Sequence, residues 1–147
     1  MSRIPRHQEH LKTGFTAEAA SAARYRANAA QAAKDGLPNL SKRWLRLAEA
    51  KDRLAIELLG AAEQFRSLDA DLGNAISEEK YENDVLYPRM IRDVGQDVAD
   101  VLLQVVSTQK EHLRQLETLR QEANAARGDV QLPPEVDRGT APSAPES

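Results

Sequence analysis

Hydrophobic residues recur every three or four positions along four stretches of the chain, which is the period of an amphipathic helix. The first predicted helix runs from about Thr16 to Lys34, with Thr16 as its N-cap and Glu18 in its first turn. The second begins near Leu40 or Ser41 and continues to about Leu68. Gly and Pro in the intervening "DGLPN" favour a break, so we expect a short connection there.

Two further helices are predicted in the second half of the chain. The third covers about Asn74 to Val94, and Pro88 inside it removes a backbone donor and should kink it. The fourth runs from about Gln96 to Ala126. No stretch alternates β-branched or aromatic residues with polar ones as a strand would. The pattern therefore predicts an all-α protein, an antiparallel four-helix bundle.

The two ends of the chain differ from the bundle. We expect residues 1–12 to form a flexible N-terminal segment and residues 13–127 to form the bundle. Residues 128–147 are rich in Pro, Ser and small polar residues, which predicts a disordered tail. A partner protein that binds this tail is a further expectation, although the tail contains no recognisable motif.

Composition narrows the classes of function. The chain has 147 residues, about the length of one domain, and a net charge of −3, which gives no dominant field to attract nucleic acid. It has no cysteine, so any metal must be bound by carboxylate or imidazole. No apolar run approaches the roughly 18 residues of a membrane span, and the N-terminus lacks a hydrophobic signal region. We therefore expect a cytoplasmic protein that binds neither nucleic acid nor membrane.

Polar side chains interrupt the apolar stripes that should face the bundle interior. Glu18 shares a helix face with Ala22 and Tyr25, and Lys51 lies between Leu47 and Leu54 on the second helix. Buried polar groups need partners, so their position on these stripes is informative. The residues predicted to point inward are Glu18, Lys51, Glu79, Glu82, Gln109 and His112.

Each of these residues also has an ordinary explanation when it is taken alone. Glu18 is near a helix N-terminus, where a carboxylate stabilises the helix dipole. Glu79 and Glu82 could form a solvated helix face, and His112 could be a surface histidine. The coincidence favours a site, because all four helices place a polar group on the stripe that should be buried.

The same residues resemble a known family. "FTAEAASAARY" (15–25) is similar to the opening of the ferritin-like domain of rubrerythrins, in which a glutamate is followed seven residues later by tyrosine after an arginine. "LAEAKDRLAIELL" (47–59) stands where the family has an Ala-Glu-Asn-Glu-x-x-His-like stretch. "EEKYENDVLYP" (78–88) resembles its Glu-x-Tyr-Glu followed by Tyr-Pro, and "QKEHLRQL" (109–116) resembles its last Glu-x-x-His. The resemblance covers roughly residues 12 to 120.

The resemblance implies a set of ligands for two metal ions, from which this chain departs. Ferritin-like carboxylate proteins use one glutamate from each of two helices and Glu-x-x-His from each of the other two. The matching ligands here are Glu18, Glu79, Glu82 and His112, with Tyr25 and Tyr87 lining the site. At the remaining three ligand positions stand Lys51, Leu54 and Gln109. The family also implies a homodimer, with exchange of helices between the chains as an option.

These departures change the charge of the predicted site by about three positive units, because two carboxylates are lost and an ammonium is gained. Lys51 can then replace metal among Glu18, Glu79 and Glu82, since an ammonium donates three hydrogen bonds. Protonated His112, or a proton shared by two glutamates, would reduce the remaining negative charge. Two alternatives stay open, a single metal ion held by Glu18, Glu79, Glu82 and His112, and an intact two-metal centre.

Two functions follow. The first is a non-catalytic structural or binding protein that needs no cofactor, with Lys51 and Gln109 as substitutes for metal ligands. The alternative is a metal-dependent oxidoreductase, a non-haem peroxidase of the rubrerythrin type with iron or manganese at Glu18, Glu79, Glu82 and His112. Without cysteines, such an enzyme would need an external electron donor.

Overall fold

A computed structural model describes residues 6–62, 67–126 and 128–132, which contain helices and no β-strand. The elements are α1 (Arg6–Lys34), α2 (Pro38–Ala61), α3 (Leu68–Tyr81), a π-helical turn (Glu82–Leu86), α4 (Tyr87–Arg92) and α5 (Gln96–Ala125). The all-helical class predicted from the sequence is confirmed. The chain divides into two compact units, the N-terminal unit (residues 1–67) and the C-terminal unit (residues 68–147).

Helix α1 begins earlier than the sequence pattern predicted. Its first residue is Arg6 and not Thr16, so residues 6–12 are helical where we expected a flexible segment. The Thr16 hydroxyl donates to the Lys12 carbonyl oxygen at 3.0 Å, one turn earlier. Thr16 therefore lies inside the helix and does not cap it. A threonine hydroxyl can bond either to a free N–H at a helix start or, as here, to a carbonyl oxygen of the preceding turn. The Gln, Glu, Leu and Lys residues before it favour the helix.

In the N-terminal unit, α2 runs back along α1. The Ser41 hydroxyl near the start of α2 donates to the Ala29 carbonyl oxygen at 2.8 Å, and Leu58 near the end of α2 lies beside Gly14. The buried apolar residues in the described part of this unit are all small, and they are Ala22, Ala29, Ala32, Ala48, Ala55 and Ala62. Small side chains let helix axes approach closely, so the contact is made largely by backbone and Cβ atoms.

In the C-terminal unit, α3 packs against α5. Its buried apolar residues are Leu72 and Ile76 from α3 with Ala99 and Val106 from α5. At the surface, the Arg120 guanidinium donates to both carboxylate oxygens of Asp69, at 3.0 and 3.2 Å. This bidentate pair fixes the start of α3 against the last turns of α5.

Where the sequence predicts a kink at Pro88, the structure has a π-helical turn directly before the segment that contains this proline. The Tyr87 backbone N–H donates to the Glu82 carbonyl oxygen, five residues earlier. Pro88 has no N–H to offer the Asp84 carbonyl, so the α-helical pattern loses a bond at this point. The third predicted helix is therefore three consecutive segments, and it starts at Leu68 and not at Asn74.

The other predicted boundaries fall close to the observed ones or outside the described residues. α5 ends at Ala125, one residue before the prediction, and α2 ends at Ala61 where the sequence suggested Leu68. Of the predicted tail, residues 133–147 lie outside the described part of the chain. Within the three described ranges, no helix combines the length and the apolar character needed to cross a bilayer.

Candidate functional site

In the N-terminal unit, the predicted site residues Glu18 and Lys51 form an ion pair. The Lys51 Nζ lies 2.8 Å from Glu18 Oε2, and the two side chains are 29% and 24% exposed. The hydrogen bond to Glu18 raises the pKa of Lys51 above its ordinary value of 10.5, and desolvation opposes this rise. Of the three carboxylates predicted around Lys51, Glu18 is therefore the one it pairs with inside its own unit.

Tyr25 and Leu54 are the other two positions of this unit that the sequence assigned to the predicted site. Tyr25 is half-buried and packs against Trp44, with ring centroids 5.1 Å apart and an interplanar angle of 48°. Leu54, at the position that the resemblance assigns to a histidine ligand, is 44% exposed. A leucine side chain has no donor atom for a metal, so this unit supplies one carboxylate and one ammonium.

In the C-terminal unit, the predicted site residues Glu82 and Gln109 are joined in a similar way. The Gln109 Nε2 donates to Glu82 Oε2 at 2.8 Å, linking the π-helical turn to α5. Both units thus place a glutamate of one helix against a hydrogen-bond donor from another helix. By the resemblance, the family has a glutamate at the positions of Lys51 and Gln109. This chain has a hydrogen-bond donor at each of them.

Three buried side-chain oxygens of the C-terminal unit have no hydrogen-bond partner among the described residues. They are Glu79 Oε2, Asn83 Oδ1 and Gln109 Oε1, and the Asn83 Nδ2 donor is unpaired as well. Asn83 is only 5% exposed. Sequence reasoning missed this residue, because an asparagine beside Glu82 looks like part of a polar helix face. Asn83 lies within the π-helical turn, which is in contact with α5.

His112 is exposed in the structure. It lies at one end of a groove of about 480 Å³ along α5. The residues that line the groove are Val101, Gln104, Val105, Thr108, Gln109 and His112. Gln109 therefore connects two features, since one side chain both lines the groove and binds Glu82. Tyr87 is half-buried at the start of α4.

The side chains present do not fit a two-metal centre of the ferritin-like type. Such a centre needs carboxylate and imidazole acceptors around each cation. Here the Lys51 ammonium lies on Glu18 in one unit and the Gln109 amide donates to Glu82 in the other, so a cation at either glutamate would have to displace the donor already there. Within the described ranges, no three Asp, Glu or His side chains are grouped closely enough to hold a metal ion.

Comparison with protein-family models and with curated proteins finds no match for this chain. Its function is therefore inferred from the geometry within each of the two units and from the motifs in the sequence.

Proposed function

We propose that this chain is a degenerate relative of the rubrerythrin-type ferritin-like proteins, a non-catalytic structural or binding protein. In that fold, two helical hairpins form an antiparallel four-helix bundle with carboxylate ligands on the inner faces. The observation that supports the proposal is the pair of 2.8 Å contacts, Lys51 to Glu18 and Gln109 to Glu82. In each, a donor group lies 2.8 Å from a carboxylate that would bind metal in the family.

The chemistry of the two replacements agrees with a lost metal function. An ammonium near a carboxylate supplies the positive charge that a cation would supply, and it needs no exchange with solvent metal. Lysine and glutamine side chains cannot act as anionic ligands. Restoring the metal site of the family would therefore require substitutions at both positions. A redox reaction at iron or manganese would therefore lack the carboxylate ligands that the family has at the positions of Lys51 and Gln109.

A homodimer remains part of this proposal. Leu40, Leu47 and Leu54 are spaced by seven residues along α2 and are 46%, 51% and 44% exposed. Exposed leucines at this spacing form a straight apolar stripe, which is typical of a helix that packs against another helix. Leu47 and Leu54 flank Lys51 on the stripe predicted to face the bundle interior, so a second copy of the chain would cover this stripe by exchange of helices, an arrangement that the family resemblance includes.

The catalytic alternative is tested by peroxide consumption. Purified protein is incubated with iron(II) or manganese(II), loosely held metal is removed, and the loss of hydrogen peroxide is measured with an added electron donor. We expect no rate above that of buffer containing the same residual metal. A faster rate that falls in Glu79→Ala or His112→Ala would contradict the proposal and favour the peroxidase.

A further inference from the structure

The C-terminal unit has three buried side-chain acceptors and one buried donor, Asn83 Nδ2, without a hydrogen-bond partner among the described residues. Glu79 Oε2, Asn83 Oδ1 and Gln109 Oε1 are all removed from solvent and have no partner among the described residues. A buried oxygen without a donor is unfavourable, and native proteins rarely retain several of them together. The surplus indicates a ligand that brings donors.

The acceptors belong to one contact region. Glu79 and Asn83 are four residues apart, one helical turn, and Asn83 follows Glu82 directly. The Gln109 side-chain amide donates to Glu82 at 2.8 Å, so this part of α5 lies beside the π-helical turn that contains Glu82 and Asn83. Asn83 is 95% shielded and lies on the π-helical turn, which is in contact with α5.

The N-terminal unit shows what the C-terminal unit lacks. There, the glutamate at the helix contact has an ammonium 2.8 Å away, supplied by Lys51. In the C-terminal unit the corresponding donor is the neutral amide of Gln109. Among the described residues, no ion pair neutralises Glu79 or Glu82. Glu79 and Glu82 are therefore carboxylates without a cationic partner among the described residues of this unit.

We propose that the C-terminal unit binds an aliphatic primary ammonium ion. An ammonium has three N–H donors and matches the three unpaired oxygens of Glu79, Asn83 and Gln109. The alkyl chain lies along the groove of α5, where Val101 and Val105 provide an apolar wall next to Gln109. This inference rests on the proposed function, because a metal ion held by Glu79 and Glu82 would occupy the same oxygens.

The ligand chemistry is tested first on the wild-type protein. Binding of hexylammonium is measured by calorimetry and by the NMR shifts of the Asn83 and Gln109 side-chain amides, with hexyltrimethylammonium and hexanol as matched ligands. We expect saturable binding of hexylammonium and binding at least roughly tenfold weaker for both controls, which lack either the N–H donors or the charge. Equal binding of hexylammonium and hexyltrimethylammonium would overturn the proposal.

The two sources of a primary ammonium are separated by a second probe. Nα-acetyl-lysine amide presents the same ammonium on a lysine side chain, whereas hexylammonium represents a free amine. Tighter binding of hexylammonium supports the site as proposed, for a small amine. Binding of the lysine derivative alone would overturn it, because the site would then accept a lysine side chain of a protein.

Variants locate the site. Glu79→Gln removes one charge and should weaken hexylammonium binding by roughly tenfold or more, while Glu122→Gln on the exposed surface of α5 should leave it unchanged. Gln109→Lys installs the cation that the N-terminal unit already has, so it should abolish binding and raise Tm. Undiminished binding to Gln109→Lys would contradict the proposal even if Glu79→Gln does not fold.

The outcome can be separated from that of the proposed function by measuring metal in the same samples. A stoichiometric content of iron or manganese would reject the non-catalytic function. Metal-free protein that shows no amine binding would reject the ammonium site alone.

Discussion

At the scale of single residues, the helical spacing of polar residues predicted which side chains interact but not how exposed each of them is. Glu18 and Lys51, and Glu82 and Gln109, were predicted on inward stripes, and both pairs are in contact. His112 was predicted on the same stripe, yet it is exposed. Three residues turn an α-helix through about 300°, so His112 is rotated by roughly 60° from Gln109 and lies at the margin of the stripe.

The Glu18–Lys51 ion pair predicts a pH dependence of stability. Because the pKa of Lys51 is raised in the folded state, its contribution is complete below its unfolded pKa and is lost as the pH rises through the folded one. Wild type should have a higher Tm than Lys51→Met at neutral pH, and the difference should shrink above pH 10.5. Thermal unfolding followed by circular dichroism between pH 8 and pH 11, as rough limits, measures this.

Lys42→Met is the control for this series, because it removes an exposed lysine from the same helix. A difference between wild type and Lys51→Met that stays constant through the alkaline range would show that the ion pair does not contribute as described.

Asn83 supports a second prediction at this scale. Replacing it with leucine removes a buried amide that has no partner among the described residues. We expect Asn83→Leu to raise the free energy of unfolding in urea by about 1–3 kcal/mol, provided that no amine is present. A loss of stability would indicate that the amide makes hydrogen bonds in solution.

At the scale of helices, breaks marked by Gly and Pro were predictable and starts were not. Gly36 has a φ of 73°, in the left-handed region that favours glycine, and it ends α1 where the sequence suggested. The start of α1 was placed too late because Thr16 resembles an N-cap, and its hydroxyl bonds backwards to Lys12. The π-helical turn was foreseen only as a kink, since Pro88 shows where a bond is lost but not how the chain rearranges.

Gly14 tests the early start of α1. An added Cβ would lie 3.1 Å from Leu58 Cδ1, the end of a flexible side chain that can shift by a few tenths of an ångström. Because alanine is favoured over glycine inside a helix, Gly14→Ala should raise the free energy of unfolding by roughly 0.5–1 kcal/mol.

Gly60→Ala is the matched control for Gly14→Ala, because its added Cβ would meet nothing within 4 Å. Urea unfolding of both variants should show a gain in stability. No gain in Gly14→Ala together with a gain in Gly60→Ala would mean that residue 14 is not helical or that Leu58 cannot move.

At the scale of the whole molecule, the helical class was predictable and the details of packing were not. Alanine fills the contact between α1 and α2, and no large side chain in the described residues is fully buried. Alanine stripes allow several alignments of neighbouring helices, so the pattern alone does not select one. The units also differ in charge, with 12 basic and 7 acidic residues in 1–67 and 8 basic and 16 acidic in 68–147. The net charge of −3 for the whole chain does not show this difference, because the positive and negative units largely cancel.

Oligomeric state is the prediction that belongs to this scale. The exposed stripe of Leu40, Leu47 and Leu54 leads us to expect a dimer in sedimentation experiments. Leu47→Lys should shift the protein towards monomer, and Leu45→Lys, a similarly exposed leucine on another face of α2, should not. A monomer at all concentrations would contradict this part of the account.

The central claim is that donors have replaced metal ligands at Lys51 and Gln109. It is tested most directly by loading the purified full chain with iron(II) or manganese(II), removing free metal by gel filtration, and determining metal per chain by elemental analysis. We predict a content far below one ion per chain, because Glu18 and Glu82 already have donors at 2.8 Å. Stoichiometric metal that survives gel filtration would contradict the claim.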